Sequence, residues 1–179
     1  MWNMENFKIL KNIKLLICDI DGVLTDGQFI KSSNGDELRS FNALDGVGFV
    51  MLRLLNLNIK TAWITGRESV TTTLRAEELK IDDVYNGVIR KIDAYNELKE
   101  KYSIEDEEIC FIGDDIIDIP LLEKVGFAVT VPNAPEYMRR YVHYTTKIPG
   151  GHGAVREVID MIIDSRENFD SKLEELLKD

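Results

Sequence analysis

The chain has 179 residues, of which 44% are hydrophobic and 30% charged, and this composition is typical of one soluble globular domain. The formal net charge of −10 argues against nucleic acid as a partner, since phosphate backbones require clusters of Lys and Arg. No apolar stretch is long enough to span a membrane. Cys18 and Cys110 lie in strand-like runs, which predicts buried, reduced thiols and a cytoplasmic location.

Strand-like and helix-like segments alternate along the chain. Short apolar runs predict buried strands over Lys14–Ile20, Ile59–Ile64, Glu108–Ile112 and Phe127–Val131. Helical spacing of apolar residues predicts helices over Asp45–Asn56, Glu68–Lys80, Lys91–Tyr102, Ile116–Lys124 and Gly153–Asp164. This alternation predicts one Rossmann-like, three-layer α/β/α domain over 1–179 with a mostly parallel sheet. In such sheets, ligands bind beyond the carboxyl ends of the strands.

A β-hairpin interrupts the alternation after the first strand. Within Gln28–Phe41, strand-like residues flank Asn34-Gly35, a strong hairpin turn signal. We expect this flap, at about 27–41, to pack on a neighbouring subunit, because an isolated two-stranded hairpin is marginal in water. At the other end, 168–179 is predicted to be a short amphipathic helical tail, with a frayed, solvated end as the alternative.

Asp19 and Asp21 follow the first predicted strand directly, and Gly22 comes next. Two carboxylates at the end of a buried strand need water, a cation or a shared proton, because an unpaired buried charge is costly. They suit a metal-assisted attack on phosphorus, with one Asp as the nucleophile and the other handling a proton. The alternative is an acidic turn in which Asp26 caps a helix.

Two further positions favour an anionic ligand. Thr65 and Gly66 end a second strand, and a hydroxyl with an accessible N–H can hold a phosphoryl oxygen. An ordinary helix cap at Thr65 or Ser69 is the alternative. Lys91 begins a helix, where the helix dipole disfavours a cation, and this hints at a nearby anion. A solvated surface lysine is the alternative.

A cluster of three carboxylates follows another strand, at Asp114, Asp115 and Asp118. Mg²⁺ prefers hard oxygen ligands, few from protein and the rest from water and phosphate. Helix capping near Ile116 is the alternative, but it requires one Asp and not three. The cluster therefore predicts a magnesium site.

The chain carries, in this order, the carboxylate pair, Thr-Gly, Lys and Gly-Asp-Asp-x-x-Asp. This order resembles the motif series of the haloacid dehalogenase-like phosphohydrolases. The resemblance implies that Asp19 attacks phosphorus to form an aspartyl-phosphate, and that Asp21 protonates the leaving alcohol and then activates water. It implies a Mg²⁺ ion bound by the Asp19 side chain, the Asp21 carbonyl and Asp114. Thr65 and Lys91 would hold the transferring phosphoryl group.

The same resemblance places Asp115 and Asp118 outside the metal ligands. From there they would orient the metal, its water and Lys91.

Other segments are similar to one family within this superfamily, the 3-deoxy-D-manno-octulosonate 8-phosphate phosphatases. They are Asp21–Gly27, the hairpin, Phe41–Gly46, Ile64–Arg67 and Gly150–Glu157. The similarity implies a small sugar-acid phosphate of lipopolysaccharide precursor biosynthesis as substrate, and no large cap domain. It also implies a homotetramer in which the hairpin and tail of neighbouring chains complete each site.

By the same resemblance, the sugar-acid pocket comprises Asp21, Asn42, Ala43, Leu44, Asp45, Gly46, Gly66, Arg67, Arg75 and Lys91. Leu44 stands where many members have Arg, and His152 stands where Arg or Glu occur. These two departures leave the exact sugar acid open.

Three other functions remain open. A phosphatase for a nine-carbon ulosonic acid 9-phosphate is the closest, but that branch carries Gly-Glu-Lys where Thr65–Arg67 stands. A phospho-accepting receiver module has similar residues, but there the acidic pair ends the first strand, whereas here Gly-Asp-Asp follows Lys91. A non-catalytic oligomerising domain is opposed by the presence of Asp19, Asp21, Lys91 and Asp114.

Overall fold

The computed structural model describes residues 8–35, 37–166, 170–171, 174 and 177. The strands are β1 (Leu15–Cys18), β2 (Ile30–Lys31), β3 (Glu37–Leu38), β4 (Lys60–Thr65), β5 (Asp83–Asn86), β6 (Ile109–Ile112), β7 (Phe127–Thr130) and β8 (Tyr144–Thr145). All but β2 and β3 form one parallel sheet in the order β5-β4-β1-β6-β7-β8. β2 and β3 pair antiparallel as the hairpin.

Helices cover both faces of this sheet. They are α1 (Ala43–Leu54), α2 (Val70–Leu79), α3 (Lys91–Tyr102), α4 (Ile119–Leu122) and α5 (Ala154–Arg166). Residues of α1, α2 and α5 share one apolar core with the sheet, and α3 and α4 share the other. The three-layer α/β/α fold is confirmed, and within the described residues the insertion after β1 is the small hairpin alone. Among those residues, no helix combines the length and apolar character needed to cross a bilayer.

β1 lies at the centre of the sheet because its sequence, Leu-Leu-Ile-Cys, is apolar on both faces. All four of its residues are buried, and Cys18 and Cys110 are free, buried thiols, as predicted. β4 and β6 flank β1 in parallel register, with Cys18 opposite Trp63 on one side and Ile112 on the other. The carboxyl ends of these three strands therefore meet at one edge.

The structure departs from the predicted elements in two respects. β5 and β8 were not predicted, because they are short edge strands without a continuous apolar run, and each pairs with one neighbour only. The predicted helix Ile116–Lys124 is divided into a 3₁₀ turn, Ile116–Asp118, and the short α4, which has a proline in its first turn. The predicted tail helix, 168–179, falls largely outside the described residues.

Asp45 ties the beginning of α1 to the beginning of α5. Its side chain is buried, and its Oδ1 accepts a hydrogen bond of 2.8 Å from the backbone N–H of Arg156. Burial raises the pKa of the Asp45 carboxyl to about 6, although the N–H groups of Arg156, Val155 and Gly153 oppose this. The carboxylate therefore caps a helix that is distant in sequence.

A carboxyl whose pKa is higher in the folded state stabilises the fold at low pH and loses that contribution as pH rises. As the pH rises from about 4 to about 6, the unfolding free energy of the wild-type chain should therefore fall by up to about 3 kcal/mol relative to that of Asp45→Asn. Urea unfolding at several pH values measures the difference. Asp93→Asn, at an exposed carboxylate, controls for generic loss of charge. A difference for Asp45→Asn that is constant with pH would contradict the assignment.

Candidate active site

A crevice of about 470 Å³ lies beyond the carboxyl ends of β1, β4 and β6. It is lined by Asp19, Asp21, Gly27, Thr65, Gly66, Arg67, Ile89, Asp114, Asp115 and Ile117. Residues predicted from three separate motifs therefore share one cavity. Its size suits a small-molecule ligand.

The ammonium of Lys91 lies beneath this crevice at the first residue of α3. Its Nζ is 2.6 Å from Asp19 Oδ1 and 2.6 Å from Asp118 Oδ1, and the Lys91 and Asp118 side chains are fully buried. Burial alone would lower the pKa of Lys91, but the two carboxylates outweigh it and raise that pKa. Lys91 therefore stays charged. The prediction that it serves an anion, and is not a solvated surface lysine, agrees with this geometry.

Asp114 adds a third carboxylate to the same cluster. Three carboxylate oxygens, one from each of Asp19, Asp114 and Asp118, lie within 4.8 Å of one another. Burial raises the pKa of Asp19 to about 7 and that of Asp114 to about 8, and repulsion among the carboxylates adds to both shifts. Three carboxylates facing one ammonium favour a further cation or a bound proton. This donor set of hard oxygens fits a divalent cation such as Mg²⁺.

Asp118 has both oxygens engaged within the protein. Oδ1 accepts from Lys91, and Oδ2 accepts from the backbone N–H groups of Asp114 and Asp115 at 2.9 and 3.2 Å. Asp118 therefore positions Lys91 and the loop after β6, so that of the three clustered carboxylates Asp19 and Asp114 are the two available to a cation. The carboxylate of Asp115 lies at the crevice wall, where it accepts from Ile116 N–H and the Tyr137 hydroxyl.

A tight turn after β1 places the backbone at Gly22 against the carboxylate of Asp114. Gly22 has φ +92°, and a Cβ there would lie 2.0 Å from Asp114 Oδ2. The Thr25 hydroxyl closes the turn by accepting from Gly22 N–H and donating to the Ile20 carbonyl. Asn133 holds the turn from outside, donating to the Gly22 carbonyl at 3.0 Å. Glycine is therefore required for Asp114 to approach.

The carboxylate of Asp21 is held by two side chains at the crevice wall. Its Oδ1 is 3.1 Å from Nη1 of Arg39, and its Oδ2 is 3.4 Å from the hydroxyl of Thr65. Burial raises the pKa of Asp21, while Arg39 and Arg67 oppose that shift. A raised pKa is appropriate for a carboxyl that donates a proton at neutral pH.

Comparison with known proteins identifies the family of this chain. The sequence profile of the haloacid dehalogenase-like hydrolases matches residues 55–159, more than half of the chain. The chain belongs to the haloacid dehalogenase-like hydrolase family. The 3-deoxy-D-manno-octulosonate 8-phosphate phosphatase of Yersinia pestis is 41% identical over 159 residues, which cover 89% of this chain and 84% of that protein. These similarities confirm the resemblance inferred from the motifs.

Solved structures of related phosphatases have the same fold. The 3-deoxy-D-manno-octulosonate 8-phosphate phosphatase of Moraxella catarrhalis, crystallised with a magnesium ion, phosphate and KDO, superimposes with a TM-score of 0.92 at 38% identity, covering 97% of this chain and 99% of that one. The cobalt-bound Haemophilus influenzae phosphatase gives a TM-score of 0.83 at 36% identity, covering 88% and 91%.

Part of the predicted sugar-acid pocket does not line this crevice within the described residues. Among the described residues, the crevice lining includes Asp21, Gly66 and Arg67 but not Arg75 or the segment 42–46. Asn42 instead caps α1 by accepting from Leu44 N–H, and it donates to the Gly151 carbonyl. Arg75 pairs with Glu78. The substrate-binding roles of Asn42, Ala43, Leu44, Asp45, Gly46 and Arg75 stay predictions.

Sequence reasoning missed two residues that support the hydrolase site, Arg39 and Asn133. Arg39 is one of two basic residues in the hairpin, and no local signal in the sequence distinguishes it from Lys31. Asn133 follows the carboxyl end of β7, and a polar side chain at that position was a usable signal.

Gly22→Ala should weaken Mg²⁺ binding by about 10–100-fold, because the new Cβ displaces Asp114 from the position it shares with Asp19. Isothermal titration calorimetry measures the affinity. Gly35→Ala is the matched control, because Gly35 has φ +93° with open space around it. It carries the same backbone strain without moving a carboxylate. Equal Mg²⁺ affinity in the two variants would refute the role of Gly22.

Proposed function

We propose that this chain is a Mg²⁺-dependent phosphatase that releases phosphate from 3-deoxy-D-manno-octulosonate 8-phosphate, in lipopolysaccharide precursor biosynthesis. One observation carries the proposal. The Asp19 carboxylate accepts a hydrogen bond from the buried Lys91, and one of its oxygens lies within 4.8 Å of an Asp114 oxygen beyond the carboxyl ends of the strands. The similarity to phosphatases of that substrate supports the choice of sugar acid. Free, buried cysteines support a reducing, cytoplasmic location.

Asp19 is the proposed nucleophile. Its carboxylate oxygen bonds to phosphorus as the bond from phosphorus to the sugar oxygen breaks, giving an aspartyl-phosphate. Asp21 gives its proton to the departing sugar oxygen. In the second step Asp21 takes a proton from water, which attacks the same phosphorus, so that phosphate leaves and Asp19 is restored.

The remaining groups would stabilise the charge on the phosphoryl oxygens. The Thr65 hydroxyl and the Gly66 backbone line the crevice beside Asp21, and the Lys91 ammonium lies below Asp19. Mg²⁺ held by the Asp19 and Asp114 side chains and the Asp21 carbonyl would supply Lewis-acid stabilisation of the anionic centre. Asp118 keeps Lys91 in place, and Asp115 would assist from the crevice wall.

We also propose a homotetramer in which neighbouring chains complete each site. The hairpin and the start of α1 expose large apolar side chains, including Ile30, Leu38, Leu44 and Val47, each about half exposed or more. Apolar side chains concentrated in this way favour an interface between protein chains. In this assembly the segment 42–46 and Arg75 could contribute to the pocket of another subunit.

The function is tested by phosphate release with Mg²⁺ and with EDTA, against ulosonic acid phosphates and common hexose phosphates. We expect turnover of the eight-carbon substrate that EDTA abolishes. Asp19→Asn should lower kcat by about 10⁴-fold or more, since it removes the nucleophile. It should leave the circular dichroism unchanged. Asp26→Asn, at an exposed carboxylate in the same loop, should retain activity.

Three results would oppose this function. A preference for hexose phosphates would overturn the substrate, activity undiminished by EDTA would overturn the metal, and near-normal turnover by Asp19→Asn would overturn the nucleophile.

The assembly is tested by light scattering. We expect a mass about four times the 20.5 kDa of one chain, and a smaller mass for Leu38→Asp, because a charge at an apolar interface is costly. Leu54→Asp is the control, since Leu54 is equally exposed but lies at the far end of α1. A monomeric wild-type protein would contradict the tetramer.

A further inference from the structure

Arg39 belongs to the hairpin segment but its side chain is buried against the active site. None of the surface of this side chain is exposed. Nη1 is 3.1 Å from Asp21 Oδ1 and donates to the Thr72 hydroxyl on α2 at 3.1 Å. Nε donates to Glu37 at 3.1 Å. The guanidinium is therefore fixed by the hairpin and by α2 while it holds Asp21.

A buried arginine of this kind contributes little net stability, because desolvation of the charges offsets their attraction. In Arg39 one nitrogen, Nη2, is buried without a hydrogen-bond partner among the described residues. A stabilising role alone does not explain a guanidinium that is desolvated and incompletely satisfied. The geometry of Arg39 instead fixes the orientation of the Asp21 carboxylate.

The two oxygens of Asp21 have different surroundings as a result. Arg39 occupies Oδ1, and Oδ2 is the oxygen near Thr65, whose hydroxyl is 3.4 Å away. We propose that Arg39 is a positioning residue, which holds Asp21 so that Oδ2 presents the proton to the leaving sugar oxygen. This inference rests on the proposed phosphatase function and adds one residue to it.

The position of Arg39 also depends on how the hairpin lies on the domain. Arg39 and Arg67 both pair with Glu37, and both contact the ring of Phe29, at 5.6 and 3.8 Å from its centroid. Arg67 lies at the crevice wall. The hairpin is thus connected through Arg39 to the residue that transfers the proton.

Proton donation matters only when the leaving oxygen is strongly basic. An alkyl oxygen of a sugar requires a proton as its bond to phosphorus breaks, whereas 4-nitrophenolate leaves without one. A residue that positions Asp21 therefore affects the two esters unequally. A residue that only stabilises the fold affects them equally.

The test compares wild type, Arg39→Met and Arg39→Lys on the eight-carbon sugar-acid phosphate and on 4-nitrophenyl phosphate. We expect Arg39→Met to lower kcat for the sugar ester by about 10²-fold and for the aryl ester by less than about threefold. Arg39→Lys keeps the charge but loses the planar fork, and should lie between. Lys124→Met removes an exposed cation that lies outside both the hairpin and the crevice lining, and it should change neither rate.

Equal losses on both esters, or no loss on either, would overturn the role of Arg39. Circular dichroism establishes that each variant is folded, and if Arg39→Met is not, the ratio of rates in Arg39→Lys decides. A wild-type protein that releases no phosphate from the sugar ester would instead count against the proposed function.

Discussion

The buried ammonium of Lys91 is the interaction on which this site depends. It lies between the carboxylates of Asp19 and Asp118 at 2.6 Å from each, with almost no exposure of any of the three side chains. Removing such a cation would leave two buried carboxylates without a counter-charge, which costs about 3–5 kcal/mol. The end of β1, the loop after β6 and the start of α3 are therefore held together by side chains of the proposed catalytic site.

The same cluster accounts for the way an acidic protein can bind an anionic ester. The net charge of −10 opposes the approach of a phosphate, and Asp114 adds one more carboxylate to the crevice. Local cations must reverse this field over a few ångströms. Lys91 and Arg67 supply part of that charge, and a divalent cation between Asp19 and Asp114 would supply the rest.

Most of the fold and the centre of the site were predictable because both follow from strand order. Apolar runs identified the buried strands, and the carboxyl ends of parallel strands meet at one edge, so Asp19, Thr65 and Asp114 could be brought together from sequence. The strands β5 and β8 could not be predicted, because edge strands lack a buried apolar run. The role of Arg39 could not be predicted either, because it depends on how the hairpin folds over α2.

The segment 42–46 illustrates the limit of transferring roles from a resemblance. Within one chain, Asn42 donates to the Gly151 carbonyl, and Asp45 accepts from the Arg156 N–H in the first turn of α5. This helix packs against α1. These contacts explain the residue types without any ligand. A second role for these residues at a neighbouring subunit depends on the proposed assembly.

In the proposed mechanism, Asp19 receives the phosphoryl group beside a metal shared with Asp114. A crystal structure of the protein with Mg²⁺ and beryllium trifluoride, which mimics an aspartyl-phosphate, tests it most directly. We predict that beryllium trifluoride binds to the Asp19 carboxylate, within hydrogen-bond distance of Lys91 and Thr65. We predict Mg²⁺ between Asp19 and Asp114. An adduct on another carboxylate, or Mg²⁺ ordered away from these two residues, would contradict the mechanism.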